Sequence, residues 1–230
     1  MAQQYPVNEI FLTLQGEGQW QGVPATFVRL QGCDVGCPWC DTKHTWAIDP
    51  AVQLPALPRG SRDGARSWAL MTPDAIAGHV AAARAQHQSQ ARLIVLTGGE
   101  PAMHPLAELA ERLLLVGYQV QLETSGTYPL TDLPAAVWVT LSPKIGMPGG
   151  RGVLPQVLER ADEVKHPVGK PRDLDQLLEL LNGRFPEMPA ARVSLQPVSQ
   201  SEKATQLCVK ACLSHGFRLS VQLHKIVNIP

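Results

Sequence analysis

The stretch RLIVLTGGEP, Arg92 to Pro101, reads as one strand and the turn that ends it. Leu93 to Leu96 are apolar without a break, the pattern of a strand buried on both faces. Gly98 and Gly99 then stop it, as at strand-to-helix turns that carry function. Helices stand on either side. Thr72-Pro73 places an N-cap and a first-turn proline ahead of Ile76 and Val80. Beyond the turn, Leu106, Leu109, Leu113 and Val116 recur at helical spacing, and Gly117 ends the run. Helix, doubly buried strand and helix in succession imply right-handed crossovers and a parallel sheet.

The same alternation extends outward in both directions. NEIFLTLQGEG (8–18) is a strand broken by Gly16 and Gly18 around Glu17. PATFVRLQG (24–32) puts Ala25, Phe27 and Arg29 on one face and Thr26, Val28 and Leu30 on the other. By pattern alone, Arg29 could equally cap a sheet edge in solvent. Ala47 to Met71 is rich in Pro, Gly, Arg and Ala without periodicity and reads as an irregular insertion. QVQLETSGT and WVTLSPK are strands, VLPQVLERAD a short helix, DEVKHPV a strand, DLDQLLELLNG a helix stopped by Gly183, and RVSLQPVS a strand. Ser199 and Glu202 have the spacing of a capping box opening a helix to Gly216, and LSVQLHK reads as a final strand. Six or seven parallel strands predict an α/β fold, a curved, incomplete (β/α) TIM-like barrel. With no repeat and no linker, residues 1–230 are expected to form a single domain.

The chain has 230 residues, a formal net charge of zero and five cysteines. Neutral balance gives no bulk attraction to nucleic acid or a membrane surface. No apolar run is long enough for a transmembrane helix, and MAQQYPVNEI has no signal-peptide core, so a cytoplasmic location is expected.

Three of the cysteines, Cys33, Cys37 and Cys40, stand at C-x3-C-x2-C in the loop LQGCDVGCPWCDTKHTW. Thiolates this close can wrap one compact metal centre. A four-iron cluster wants four ligands, and three leave one iron with an open position, the mark of chemistry rather than of a structural staple. A Cys3His zinc site completed by His44 is the rival, and an odd cysteine count argues against a disulfide framework. Cys208 and Cys212 share a helical stripe with Ala204, Leu207 and Ala211 and read as core packing.

The cysteine loop followed by TGGEP resembles the radical S-adenosylmethionine superfamily. There the open iron chelates the amino and carboxylate groups of S-adenosylmethionine, and the glycine turn brings backbone to its amino group, where a side chain would intrude. The set LQGEG, CDT, TGGEP, ETSGT, SPK, SLQP and a C-terminal HK…P, from Leu14 to Pro230, is more specific. It resembles the 7-carboxy-7-deazaguanine synthase family of queuosine and 7-deazapurine biosynthesis.

That resemblance implies a carbon–nitrogen lyase acting on 6-carboxy-5,6,7,8-tetrahydropterin. A 5′-deoxyadenosyl radical takes hydrogen from C6, and ring contraction releases ammonia. It implies that Cys33, Cys37 and Cys40 hold a [4Fe–4S] cluster and that Thr42 ligates Mg2+, which favours hard oxygen ligands. S-adenosylmethionine would be held by Pro38, Trp39 and Asp41, by Gly99, by Glu123 and Ser125, by Ser142, Pro143 and Lys144, and by Ser194, Leu195, Gln196 and Pro197. The pterin would meet Leu14, Gln15, Gly16 and Glu17, then Arg29, whose fork suits a carboxylate, then Thr97, His224 and Pro230. A homodimer and a reductase such as flavodoxin or ferredoxin are further implications. An activating enzyme for a glycyl-radical protein shares the cysteine spacing, but LQGEG and SLQP favour a small substrate. A non-catalytic zinc module would leave TGGEP, SPK and SLQP without a purpose.

Overall fold

The computed structural model describes residues 3–60, 64–182 and 188–230. The chain forms one nine-stranded sheet in the order β3-β1-β2-β4-β5-β6-β7-β8-β9. Its strands are β1 (Tyr5–Leu14), β2 (Pro24–Leu30), β3 (Ala69–Met71), β4 (Leu93–Gly98), β5 (Gln119–Thr124), β6 (Trp138–Leu141), β7 (Glu163–Val168), β8 (Val193–Pro197) and β9 (Arg218–Leu219). From β2 to β9 every pairing is parallel, whereas β1 runs antiparallel to both β2 and β3. Seven parallel strands in an order that never returns to its start make the expected barrel that does not close.

Helices α1 (Pro73–Gln86) and α2 (Ala107–Leu115) cover the first half of the sheet. Thr72 caps α1 by accepting from the Ala75 N–H, with Pro73 in the first turn, as its sequence predicts. Ile76, Val80, Leu109 and Leu113 pack on Ile94, Leu96 and Leu122. Each such side chain contributes about 1.5–3 kcal/mol on full burial. Helices α3 (Pro155–Arg160), α4 (Pro171–Leu180) and α5 (Glu202–His215) cover the second half. There Val157, Leu177, Leu195 and Cys208 belong to one core, with Cys212 packed against it, so both helical cysteines are packing residues.

The sheet's other face is where function is placed. Ladder partners Arg29–Thr97, Glu123–Thr140, Thr140–Glu163 and Lys165–Ser194 form a polar band across the parallel sheet. Beneath it Ala25, Leu93 and Val95 pack with Trp20 and Phe27, and Trp20 meets Trp138 edge-on at 5.5 Å. The inside of the open barrel is thus apolar at the bottom and polar at the top.

Four expectations change. The capping residue of α5 is Ser201, whose hydroxyl accepts from the Ala204 N–H, not Ser199. Ser199 lies at φ +54°, which cannot supply the extended geometry an N-cap needs. The final strand is only two residues long, because its last ladder bond, Ser220 N–H to Leu195 C=O, is followed by a short helix α6 (Leu223–Val227). His224 and Lys225 are helical, drawn in by the Leu223 N–H bond to the Gly16 carbonyl. Arg29 is no edge residue, since β2 lies between β1 and β4. The insertion is not wholly irregular: Ala69–Met71 pairs with Tyr5–Val7 as an edge strand too short to show a period. Its residues 61–63, and the Gly183 helix stop, lie outside the described residues. No helix among the described residues is long and apolar enough to cross a membrane.

Candidate active site

A cavity of about 560 Å3 opens at the carboxyl ends of the parallel strands. That is where open α/β sheets bind ligands, because the loops there are free to carry side chains. Cys33, Cys37 and Cys40 all line it, supplied by the loop after β2. The loop is held from below. The Gly99 N–H donates to the Leu30 carbonyl and the Glu100 N–H to the Gly32 carbonyl.

The two glycines have a structural reason the sequence did not disclose. A Cβ on Gly98 would sit 2.1 Å from the Leu30 carbonyl oxygen, and one on Gly99 would sit 2.1 Å from that of Gly32. They are required by the chain's own cysteine loop, which presses onto the end of β4. Glu100 then ties this turn to the next strand end, accepting from the Thr124 hydroxyl at 2.7 Å and the Ser125 N–H at 2.7 Å.

Across the cavity, buried Lys165 bridges Glu17 at 2.6 Å and Glu123 at 2.8 Å. Gln196 and Gln222 donate to the other Glu17 oxygen. Burial alone would raise Glu17, but the Lys165 charge and the hydrogen bonds from Lys165 and Gln222 hold it down at about 2. Glu123 goes the other way, pushed up by burial and by the nearby Glu17 and Glu163 carboxylates despite Lys165. Burial would lower Lys165, yet two carboxylates keep it above the ordinary lysine value and therefore charged. The two acids are thus shifted in opposite directions around one fixed cation, Glu17 down and Glu123 up.

Most residues singled out from sequence meet here. Leu14, Gly16, Arg29, Thr97, His224 and Pro230 line the cavity, as do Trp39, Asp41, Thr42, Gly99, Ser125, Ser142, Lys144, Gln196 and Pro197. Arg29 gives its Nε to Glu9 at 2.7 Å, which fixes the guanidinium plane. His224 is pulled down by burial, so its imidazole is neutral near pH 7, and Gly16 is needed because a Cβ there would meet its Nδ1 at 2.3 Å. Gln15 also lines the cavity, but its amide donates to Gln121 and Glu123 and its oxygen accepts from the Glu17 N–H. It positions the carboxylates. Pro38, Pro143, Ser194 and Leu195 are not brought into the cavity wall. Ser194 is buried and donates to Glu163, and Leu195 belongs to the outer core, as alternation along β8 requires. Sequence reasoning missed Lys165, Gln222 and Glu100; Lys165 is shown to face inward only by the register of β7 on β8.

A model of the radical SAM superfamily matches residues 27–179. The 7-carboxy-7-deazaguanine synthase of Escherichia coli K12 is 46% identical, the match covering 98% of this chain and 99% of that one. That of Buchnera aphidicola subsp. Schizaphis graminum is 39% identical over 98% and 99%, and that of Synechocystis 35% over 98% and 93%. The crystal structure of QueE from Escherichia coli superposes with a TM-score of 0.85 at 44% identity, covering 96% of this chain and 95% of that one. The chain belongs to the radical SAM superfamily, in its 7-carboxy-7-deazaguanine synthase family.

The cluster and S-adenosylmethionine of that superfamily fit what is present. Three thiols from one loop face one cavity, and Lys144, hydrogen-bonded to Ser142, lies where its charge favours a Cys37 thiolate. Burial pushes the Cys33 thiol up to about 11 and raises Cys37 as well, so binding metal must release protons. His44, the fourth ligand the zinc rival needs, is not part of this cavity wall. Thr42 places its hydroxyl 3.6 Å from the Cys40 Sγ and 3.5 Å from the Gly98 carbonyl.

Proposed function

We propose that this chain converts 6-carboxy-5,6,7,8-tetrahydropterin to 7-carboxy-7-deazaguanine with loss of ammonia, residues 1–230 working as one domain in a reducing cytoplasm. The observation that carries the reading is that three thiols, the Arg29 guanidinium and the Glu17–Lys165–Glu123 triad all face one cavity. Cys33, Cys37 and Cys40 would hold a [4Fe–4S] cluster, with S-adenosylmethionine against Trp39, Gly99, Ser125, Ser142 and Lys144. Bound together, they would supply the radical chemistry that acts at C6 of the substrate.

The chain's own contribution is binding and orientation. Arg29, its plane set by Glu9, turns its guanidinium to the substrate carboxylate. Glu17, ionised and held by Lys165, accepts from the N–H groups of the pyrimidine edge, while the neutral His224 offers a second polar contact. Glu123, held at 2.8 Å by the same lysine, completes the polar wall that orients the substrate. Thr42 would give Mg2+ one oxygen, the rest coming from substrate and water, as this ion prefers. A flavodoxin- or ferredoxin-type reductase and a homodimer complete the proposal.

The test is anaerobic reconstitution with iron and sulfide, then reduction and incubation with S-adenosylmethionine, Mg2+ and the pterin. Product and ammonia from the wild type but not from Cys40→Ala support the assignment. Slow cleavage of S-adenosylmethionine with untouched pterin leaves the superfamily and removes the substrate. Assembly of a zinc site instead removes the cluster.

A further inference from the structure

The segment between β6 and α3 lies on the outer side of the cysteine loop and binds the arc between Cys33 and Cys37. Gly149 approaches so closely that a Cβ there would be 2.0 Å from the Asp34 carbonyl oxygen, and its N–H donates to the Val35 carbonyl at 3.1 Å. Pro148 lies against Gly36, where an added Cβ would be 3.4 Å from its ring. Two residues beyond Gly149, the Arg151 Nε donates to the Asp34 carboxylate at 2.7 Å, and the Tyr128 hydroxyl donates to the same oxygen at 2.7 Å. The Arg151 guanidinium also lies 4.3 Å from the centre of the Tyr128 ring. Every residue from Asp34 to Gly36 is therefore touched from outside, and Val35 is buried beneath.

An isolated surface ion pair would hold little, because solvent screens it. Here the pair is reinforced by a backbone hydrogen bond, a ring and a glycine that permits direct backbone contact. The segment begins at Ser142-Pro143-Lys144, so one loop reaches both the inner cavity wall and the outer side of the cysteine arc. We infer that residues 147–151 with Tyr128 form a strap that positions the arc carrying Cys33 and Cys37, holding it against local opening, while no such contact is made to Cys40 among the described residues. Asp34, Tyr128, Gly149 and Arg151 are positioning residues. The inference rests on the cluster assignment only for its purpose, not for its geometry.

The test uses the metal-free full chain. Cys33, Cys37 and Cys40 are alkylated with iodoacetamide under anaerobic conditions, and each rate is read by peptide mass mapping. Arg151→Ala and Asp34→Asn should speed labelling of Cys33 and Cys37 on the order of threefold, the scale of an exposed charged contact. Gly149→Ala, which must push one backbone off another, should do so about tenfold or more. Cys40 should not change, and Arg151→Lys should restore some of the protection. Arg112→Ala, which breaks a comparable exposed pair with Asp74 far from the loop, is the control. A parallel measurement on reconstituted protein follows iron release to a chelator, expected to quicken in the same order. Uniform labelling of all three cysteines across the variants would overturn the strap. If no cluster assembles in the wild type but the labelling pattern holds, the strap stands and the cluster assignment falls.

Discussion

Lys165 holds two carboxylates at the cavity wall, and its removal tests whether they need it. Lys165→Met leaves Glu17 and Glu123 buried without their cation, which should cost about 3–5 kcal/mol in urea unfolding. The double variant Lys165→Met with Glu17→Gln should recover some of that loss. Glu17 also predicts a pH response. Its carboxyl is held at about 2 against an ordinary 4.5, so its stabilisation is complete above 4.5 and lost as pH falls from there towards 2. Glu123, held high, acts in the other window: its contribution is fully present below 4.5 and is lost as pH rises through its raised value. Glu17→Gln should therefore flatten the acid side of a plot of urea midpoint against pH, and an unchanged slope would remove Glu17 from the account. The three cysteines could be read from sequence because their spacing is itself a pattern, whereas Arg29 and Glu17 are marked only by the family resemblance. Lys165 could not, since nothing in DEVKHPV distinguishes it from a surface lysine until the register of β7 on β8 turns it inward.

The junction of β4 with the cysteine loop sets the tolerance of the site. Gly99→Ala must displace the Gly32 carbonyl from 2.1 Å, so about 1–3 kcal/mol of stability should go, together with iron content after reconstitution. Gly78, in α1, has open space where its Cβ would be and no positive φ. Gly78→Ala should raise the urea-derived stability by about 0.5–1 kcal/mol, since alanine loses less backbone freedom on entering a helix. Elements with strong local signals were readable: the unbroken apolar run of β4, and the Thr72-Pro73 start of α1. Those decided by partners were not. LSVQLHK alternates like a strand, but β8 offers β9 only two paired residues, and Gly16 captures the rest as α6.

Across the whole molecule, the open side of the barrel is finished by the two ends of the chain. The Gly18 N–H donates to the Ser220 hydroxyl, Gln222 to Glu17, Leu223 to Gly16, and the Thr13 hydroxyl to the Pro230 carbonyl at 2.9 Å. Removing Ile229 and Pro230 should weaken pterin binding on the order of tenfold while circular dichroism and iron content stay unchanged. An equal affinity in a titration of the shortened chain would exclude the terminal residues from the site. The parallel architecture could be read from alternation alone, but this closure joins residues about two hundred positions apart, and no local pattern reports that. It also sets an order of events during synthesis. The three cysteines leave the ribosome roughly ten to forty seconds before α6 does at ordinary elongation rates, so the thiols exist for that interval without the wall that encloses them. Iron and sulfide delivered then would meet a half-built vessel, and the finished protein must either take its cluster afterwards, through the cavity mouth, or be guarded by a carrier until its last turn folds.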